Sequence, residues 1–338
     1  MGGVNPNIPS AVRSAFGWES DLVTFSPIVQ GYINHTFLVR VGHQPQAILQ
    51  WINTEVFARV DQLMANIQLA QQVLQPTALL IPTTSGDSYL NHPQHGTWRA
   101  TQYMENSVCY SLAPDAVIAH AAGVLLGEFH TQLSSLTPTK FHVTLPGFQS
   151  MSLRLSQFDT AWTQASAQRK KEAESAVDQL KTIIARVSYL EDLPQNRVIH
   201  HDAKLSNMLF DRQNQKGLVV IDLDTLMPGS LFMDVGDCLR TLAVNTKEGD
   251  INPASFLEQH AQRFFQGYLT TMEGIITPEE TQSLYPGSVY MPSIHALRAL
   301  TDYLQGDLYY QVHYPTQNLD RAKSLLGHAQ CIAQGLSV

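Results

Sequence analysis

A run in the second half of the chain, Val198-Ile199-His200-His201-Asp202-Ala203-Lys204-Leu205-Ser206-Asn207, places a carboxylate, an ammonium and an amide side by side. It is followed by Gly217-Leu218-Val219-Val220-Ile221-Asp222-Leu223-Asp224, a β-rich run that ends in acids. Phosphoryl transfer explains each polar position in it. A hydroxyl attacking a γ-phosphate needs a carboxylate to orient it and take its proton, and hard oxygen donors to hold the magnesium that neutralises the triphosphate. Asp202 is the expected base, and Lys204 has the spacing for a γ-phosphate contact. Asn207 and Asp222 are the expected magnesium ligands.

Taken singly, each residue has an ordinary explanation, since Asp and Asn commonly cap turns and satisfy their own backbone. Together they form an H-x-D-x-K-x-x-N pattern ahead of a β-hairpin whose second strand closes on Ile221-Asp222.

The surrounding elements must bring these groups to one place. Between residues 23 and 50 three short β-rich runs, 23–29, 36–41 and 47–50, are separated by polar turns, which predicts an antiparallel meander. Val56, Val60, Leu63, Ile67 and Leu74 then recur at helical spacing, predicting one amphipathic helix over 55–74. Runs 78–81 and 98–104 complete an expected sheet of about five strands, a common size. Helical stripes dominate after residue 114, the first opened by Pro114 and Asp115, the second lying within 153–190. Runs 207–210 and 217–221 form the expected hairpin, and the remainder reads as helices broken at Pro253, Pro278, Pro286, Pro292 and Pro315. The expected class is α+β with two lobes, residues 1–107 binding nucleotide and residues 108–338 carrying catalysis and substrate.

Bulk properties narrow the partners. The 338 residues include 44% hydrophobic and 15% charged ones, enough for a full core. A net charge of -8 argues against a phosphate-backbone binder, so nucleic acid is not an expected partner. No signal-like start or long apolar stretch is present, which gives no expected membrane association and a cytoplasmic address. Cys109, Cys238 and Cys331 are widely spaced and read as reduced thiols. The histidine pairs His92/His95 and His200/His201 lack the i, i+4 spacing and third ligand of a metal site.

At the residues above the chain resembles the aminoglycoside phosphotransferase and choline kinase superfamily, and within it the N-acetylhexosamine 1-kinases. The closer likeness rests on Gly31-Tyr32-Ile33-Asn34-His35-Thr36, on residues 48–57, on Pro146-Gly147-Phe148, on residues 221–229, on Gly236-Asp237 with Arg240, and on residues 300–307. The resemblance implies a protein-kinase-like fold, ATP as co-substrate with adenine held by backbone near Gln102 and Met104, and phosphorylation of a sugar's anomeric hydroxyl. It also makes Arg298 and Tyr309 candidates for binding the sugar, whose hydroxyl would be directed at Asp202.

Two departures stand out. Protein kinases carry a Lys on the third strand paired with a Glu on the next helix. Here the strand has Gln50, and the helix lacks a mid-helix Glu, Asp61 being the one acid between Val56 and Gln75. Gly31, Asn34, Thr36 and Gln50 are therefore the candidates for the phosphate site. Relatives place His-Asp after Pro146-Gly147-Phe148, where this chain has Gln149-Ser150. Because fold-level motifs are shared across acceptors, a kinase of choline, homoserine or an aminoglycoside is the alternative, and a non-catalytic nucleotide-binding module a third reading.

Overall fold

The computed structural model describes residues 8–28 and 33–338. They divide into two compact units, Met1–Ser107 and Val108–Val338.

The first unit is built on an antiparallel sheet. β1 (Val23–Ile28), β2 (His35–Val41) and β3 (Gln44–Ile52) form the meander, and β6 (Gly96–Gln102) continues it. The strand order is β1-β2-β3-β6-β4, with β4 (Leu80–Ile81) on one side of β6 and β5 (Leu90–His92) also pairing with β6. The sheet therefore has six strands rather than the five expected. The extra strand is Leu90-Asn91-His92, whose polar residues hide its extended backbone from a hydrophobic pattern.

Alternation along β3 separates the faces. Ala47 and Leu49 join Val39, Phe25, Trp98 and Ala100 in a core covered by α1 (Ser10–Ala15) through Val12 and by Ile8 and Phe16. Gln50 and Ile52 point to the opposite side. α2 (Val60–Gln71) is shorter than the expected 55–74. Residues before it are held in a turn instead, because Asn53 Oδ1 accepts from the Glu55 and Val56 amides. Asp61 pairs with Arg59 in solvent, 2.7 Å away, and takes no part in a buried ion pair.

A two-residue strand, β7 (Ser107–Val108), falls at the division, and the second unit is mainly helical. α3 (Ala116–Leu133) begins at Asp115, whose carboxylate accepts from the Val117 and Ile118 amides, a cap worth about 1 kcal/mol. The expected helix within 153–190 is two, α4 (Met151–Gln164) and α5 (Ala167–Val187), because Ser166 caps a new start at Ala167, its hydroxyl accepting from the Arg169 amide. Then follow β8 (Arg197–Ile199), the hairpin β9 (Met208–Asp211) and β10 (Gly217–Val220), and β11 (Met227–Gly229), which pairs antiparallel with β8.

α6 (Leu231–Leu242), α7 (Glu258–Thr271), α8 (Pro278–Gln305) and α9 (Gln317–Leu336) complete the unit. Pro286 and Pro292 do not break the chain as expected but lie inside α8. An interior proline removes one helical hydrogen bond. Here burial of nearly every residue from Ser283 to Leu304 overrides that loss. Gly236 and Gly287 let α6 and α8 approach closely, since a Cβ on Gly236 would lie 2.2 Å from the Gly287 carbonyl oxygen.

Candidate active site

The loop that follows β8 is fixed from several directions before any substrate arrives. Asp234, fully buried on α6, accepts hydrogen bonds from the backbone amides of His200 and His201, both at 2.7 Å, and lies 2.9 Å from His130 Nε2. His130 in turn meets the Tyr268 hydroxyl through Nδ1 at 2.9 Å. Burial pushes the Asp234 carboxyl up, but the His130 hydrogen bond and the imidazoles of His130, His200 and His201 outweigh it and hold the group below its ordinary value. Neither Asp234 nor His130 stood out in the sequence. The one signal available was a pair of acids, Asp234 and Asp237, inside an otherwise apolar helical run.

His200 ties two parts of the site together. Its Nε2 faces the Ile221 carbonyl at 2.8 Å and its Nδ1 faces the Asp202 amide at 3.1 Å. A carbonyl only accepts and an amide N–H only donates, so the neutral Nε2–H tautomer satisfies both contacts. Ile221 N–H donates to the Asn207 carbonyl at 2.8 Å, and Thr225 Oγ1 donates to the His200 carbonyl at 2.6 Å. The segments carrying Asp202, Asn207 and Asp222 are thereby laced together by backbone.

His201 and Asp222 both adopt left-handed backbone, with φ of 65° and 64°. Such conformations cost free energy in a non-glycine residue and persist where surroundings enforce them. His201 is buried between the Pro228 carbonyl and the Gln149 amide, and burial holds its imidazole below the usual pKa.

Within this frame the expected residues converge. Asp202 Oδ2 accepts from Lys204 Nζ at 2.8 Å and from Asn207 Nδ2 at 2.9 Å, and the Asp202 carbonyl accepts from Asn207 Nδ2 at 2.8 Å. With its nitrogen turned to Asp202, the Asn207 amide keeps Oδ1 as an acceptor. Burial lowers the Lys204 pKa, but Asp202, Asp222 and Asp237 together raise it above the ordinary value, so all three carboxylates act on one ammonium. Asp237 is a buried ion-pair residue, with Arg240 Nε at 2.6 Å and His295 Nε2 at 3.2 Å. Glu248 joins Arg240 to Arg321 at 2.9 and 2.6 Å, and those guanidiniums overcome burial to hold Glu248 at about 2.

Among the described residues no three His, Cys, Asp or Glu side chains are grouped to hold a metal. One amide and one carboxylate are a donor set that magnesium accepts when phosphate oxygens and water supply the rest.

Arg298 and Tyr309 are brought together, the guanidinium 6.0 Å from the ring centroid. Tyr309 sits in a loop pinned by Asp302, whose carboxylate accepts from the amides of Leu308, Tyr309 and Tyr310 at 2.7 to 3.0 Å and from Asn318 Nδ2 at 2.9 Å.

The remaining candidates lie in the first unit. Gly31 lies outside the described residues. Asn34 Oδ1 accepts from the Asn53 amide at 2.9 Å, closing the exit of β3. Thr36 is paired across the sheet with Gln50, whose Nε2 donates to Thr36 Oγ1 at 3.4 Å. Gln50 Oε1 accepts two bonds from Arg99, at 3.0 Å from Nε and 2.8 Å from Nη2. Arg99 stands opposite Gln50 on β6 and is 3% exposed. It was not singled out in the sequence, because register rather than local spacing puts it there. The Gln102 amide donates to the Leu79 carbonyl at 2.9 Å, and the Met104 carbonyl accepts from Ser107 Oγ at 2.6 Å.

Three solved structures share the fold at low identity. A spectinomycin phosphotransferase, APH(9)-Ia, in complex with ADP and spectinomycin, has a TM-score of 0.64 at 12% identity over 96% of this chain and 97% of that one. A microcompartment-associated aminopropanol kinase gives 0.60 at 17% identity over 94% of each chain. Choline kinase from Cryptosporidium parvum Iowa II gives 0.55 at 14% identity over 96% of each. These likenesses establish the bilobal kinase-like fold with an antiparallel sheet first and a helical lobe second. The phosphotransferase enzyme family model, APH, matches residues 24–274, which span both the sheet of the first unit and the Asp202 loop of the second, and the chain belongs to that family.

Proposed function

We propose that the protein transfers the γ-phosphoryl group of ATP to a hydroxyl of a small molecule, and that this acceptor is a sugar phosphorylated at its anomeric hydroxyl, an N-acetylhexosamine or related hexose. The observation that carries the reading is the Asp202 carboxylate, one oxygen of which is occupied by Lys204 and Asn207. Its other oxygen remains for the acceptor hydroxyl.

In this mechanism Asp202 Oδ1 orients the hydroxyl and receives its proton as the new O–P bond forms. The bond from the γ-phosphorus to the bridging oxygen breaks, and its electron pair leaves on the diphosphate. Lys204, already poised against Asp202, turns its charge to the transferring oxygens. Asn207 Oδ1 and Asp222 are the residues that would hold magnesium, which when bound neutralises charge on the triphosphate. On the nucleotide side the reading assigns the phosphates to Gln50 and Thr36 with the segment 31–34, and the adenine edge to backbone at Gln102 and Met104. Arg298 and Tyr309 serve the acceptor.

A panel of aldoses assayed for ATP consumption tests the reading, with products located by phosphorus NMR. Turnover of an aldose with phosphate on the anomeric carbon supports it. Turnover confined to choline, homoserine or aminoglycosides would keep the phosphotransferase but replace the sugar.

A further inference from the structure

Arg154 and Arg298 come from different helices, α4 and α8, and meet at the same residue. Arg154 Nη2 donates to the Phe148 carbonyl at 2.9 Å, and the Arg298 guanidinium lies over the Phe148 ring, 5.3 Å from its centroid. Neither arginine reaches a carboxylate among the described residues. Arg154 has only neutral partners, Phe148 and the Gln157 amide oxygen at 2.9 Å, and its Nε is buried with no hydrogen-bond partner. Arg298 is half-buried against two aromatic faces, Phe148 and Tyr309.

Four acids of the second unit have partners of their own. Glu191 is taken by Ser150 and Ser152, Asp302 by the amides of the loop 308–310, Asp307 by Arg169, and Glu248 by Arg240 and Arg321. Burial and the charge of Arg298 both push the Arg154 pKa down, as expected for two like charges sharing a site without a counter-ion.

The pair also lies beside the catalytic loop. Gln149, the residue after Phe148, donates from Nε2 to the His201 carbonyl at 2.5 Å. His295, one turn before Arg298 on α8, reaches Asp237.

We propose that the acceptor carries an anionic group, a carboxylate or a phosphate monoester, held by Arg154 and Arg298 while its ring rests against Phe148 and Tyr309. Guanidinium groups match planar and tetrahedral oxyanions through paired N–H donors, and two of them lacking a protein carboxylate leave that place to the ligand. A cationic acceptor is disfavoured at the same spot. The proposal rests on the phosphotransferase reading for the identity of its ligand but not for the binding event.

The test uses three acceptors with one ring: glucose, glucuronic acid and glucose 6-phosphate. Binding is measured by calorimetry on the wild-type protein and on Asp202→Asn, and turnover by ATP consumption. We expect at least one anionic member to bind about tenfold or more tightly than glucose. The carboxylate and phosphate arms distinguish the two sources. Arg298→Gln and Arg154→Gln should raise the Kd and KM for that anion about tenfold or more without moving the KM for ATP, whereas Arg298→Lys should recover part of the loss.

Equal use of glucose and its anionic analogues, or no anion binding at millimolar concentration, overturns the proposal, and wild-type protein alone decides this if the variants do not fold. Anion binding lost in Arg298→Gln in a protein that never consumes ATP would defeat the kinase reading and leave the anion site standing. Efficient turnover of neutral acceptors, unchanged in Arg298→Gln, would do the reverse.

Discussion

Gln50 in the first unit and Asp202 in the second are held in different ways. Gln50 is fixed by its immediate neighbours in the sheet, Thr36 on one strand and Arg99 on the other. Asp202 hangs from a frame that includes Asp234, itself bound to His130 from 104 residues earlier, and His200, which reaches across to Ile221. In the sheet a change is absorbed by the next strand. In the loop one buried carboxylate supports two backbone amides and a histidine, so its loss propagates. The lesson is that register suffices where backbone pairing is continuous, while an irregular loop needs buried charge to specify one path.

The most severe way to break the comparison is at its chemical end. Asp202→Asn should lower turnover about a thousandfold while leaving nucleotide binding intact, which steady-state kinetics and calorimetry check together. Next, Asp234→Asn removes the charge and turns one of the two oxygens that serve two amides and a histidine into a donor. It should cost on the order of 3 kcal/mol in denaturant unfolding, with accelerated hydrogen exchange at residues 200–202. If exchange there is unchanged, the loop does not depend on Asp234.

A smaller effect is expected from the sheet. Arg99→Met strips Gln50 Oε1 of two donors and should cost about 1 to 2 kcal/mol in stability, with a rise in the nucleotide's KM and little change in kcat. An equal loss of kcat would mean that the two regions are not as separable as drawn.

The smallest effect is in pH. His201 titrates below its ordinary 6.5 in the folded protein and Asp234 below 3.8. As pH falls through 6.5 the unfolded chain takes up a proton that folded His201 refuses, and below 3.8 the same holds for Asp234, so stability declines with acid. In the described part of the first unit the shifted groups are the solvent-exposed Arg59 and Asp61. Hydrogen exchange between pH 7 and 5 should therefore show the loop amides losing protection ahead of those in β2 and β3.

Much of this is readable from sequence because the candidate catalytic residues are local. Asp202, Lys204 and Asn207 lie within one turn-rich segment, and Asp222 follows on the next hairpin, so spacing alone carries them. The meander and the stripes of α3 and α5 were equally plain from periodicity. What stayed hidden depends on tertiary pairing. Arg99 meets Gln50 only through the register of β3 with β6. His130 finds Asp234 across two helices, and Arg154 finds Arg298 through Phe148. Pro286 and Pro292 misled because burial of α8 outweighs a local rule, and β5 was missed because its residues are polar.

The way Asp302 holds the segment 308–310 has one more consequence. Its carboxylate grips main-chain amides rather than the side chains of Leu308, Tyr309 and Tyr310, of which the two tyrosines meet Arg298 and Arg321. The path of that segment is thus set independently of what it displays. A library randomised at those three positions, with Asp302 and Asn318 kept, should yield folded proteins of altered acceptor preference, making this the natural handle for retargeting the enzyme.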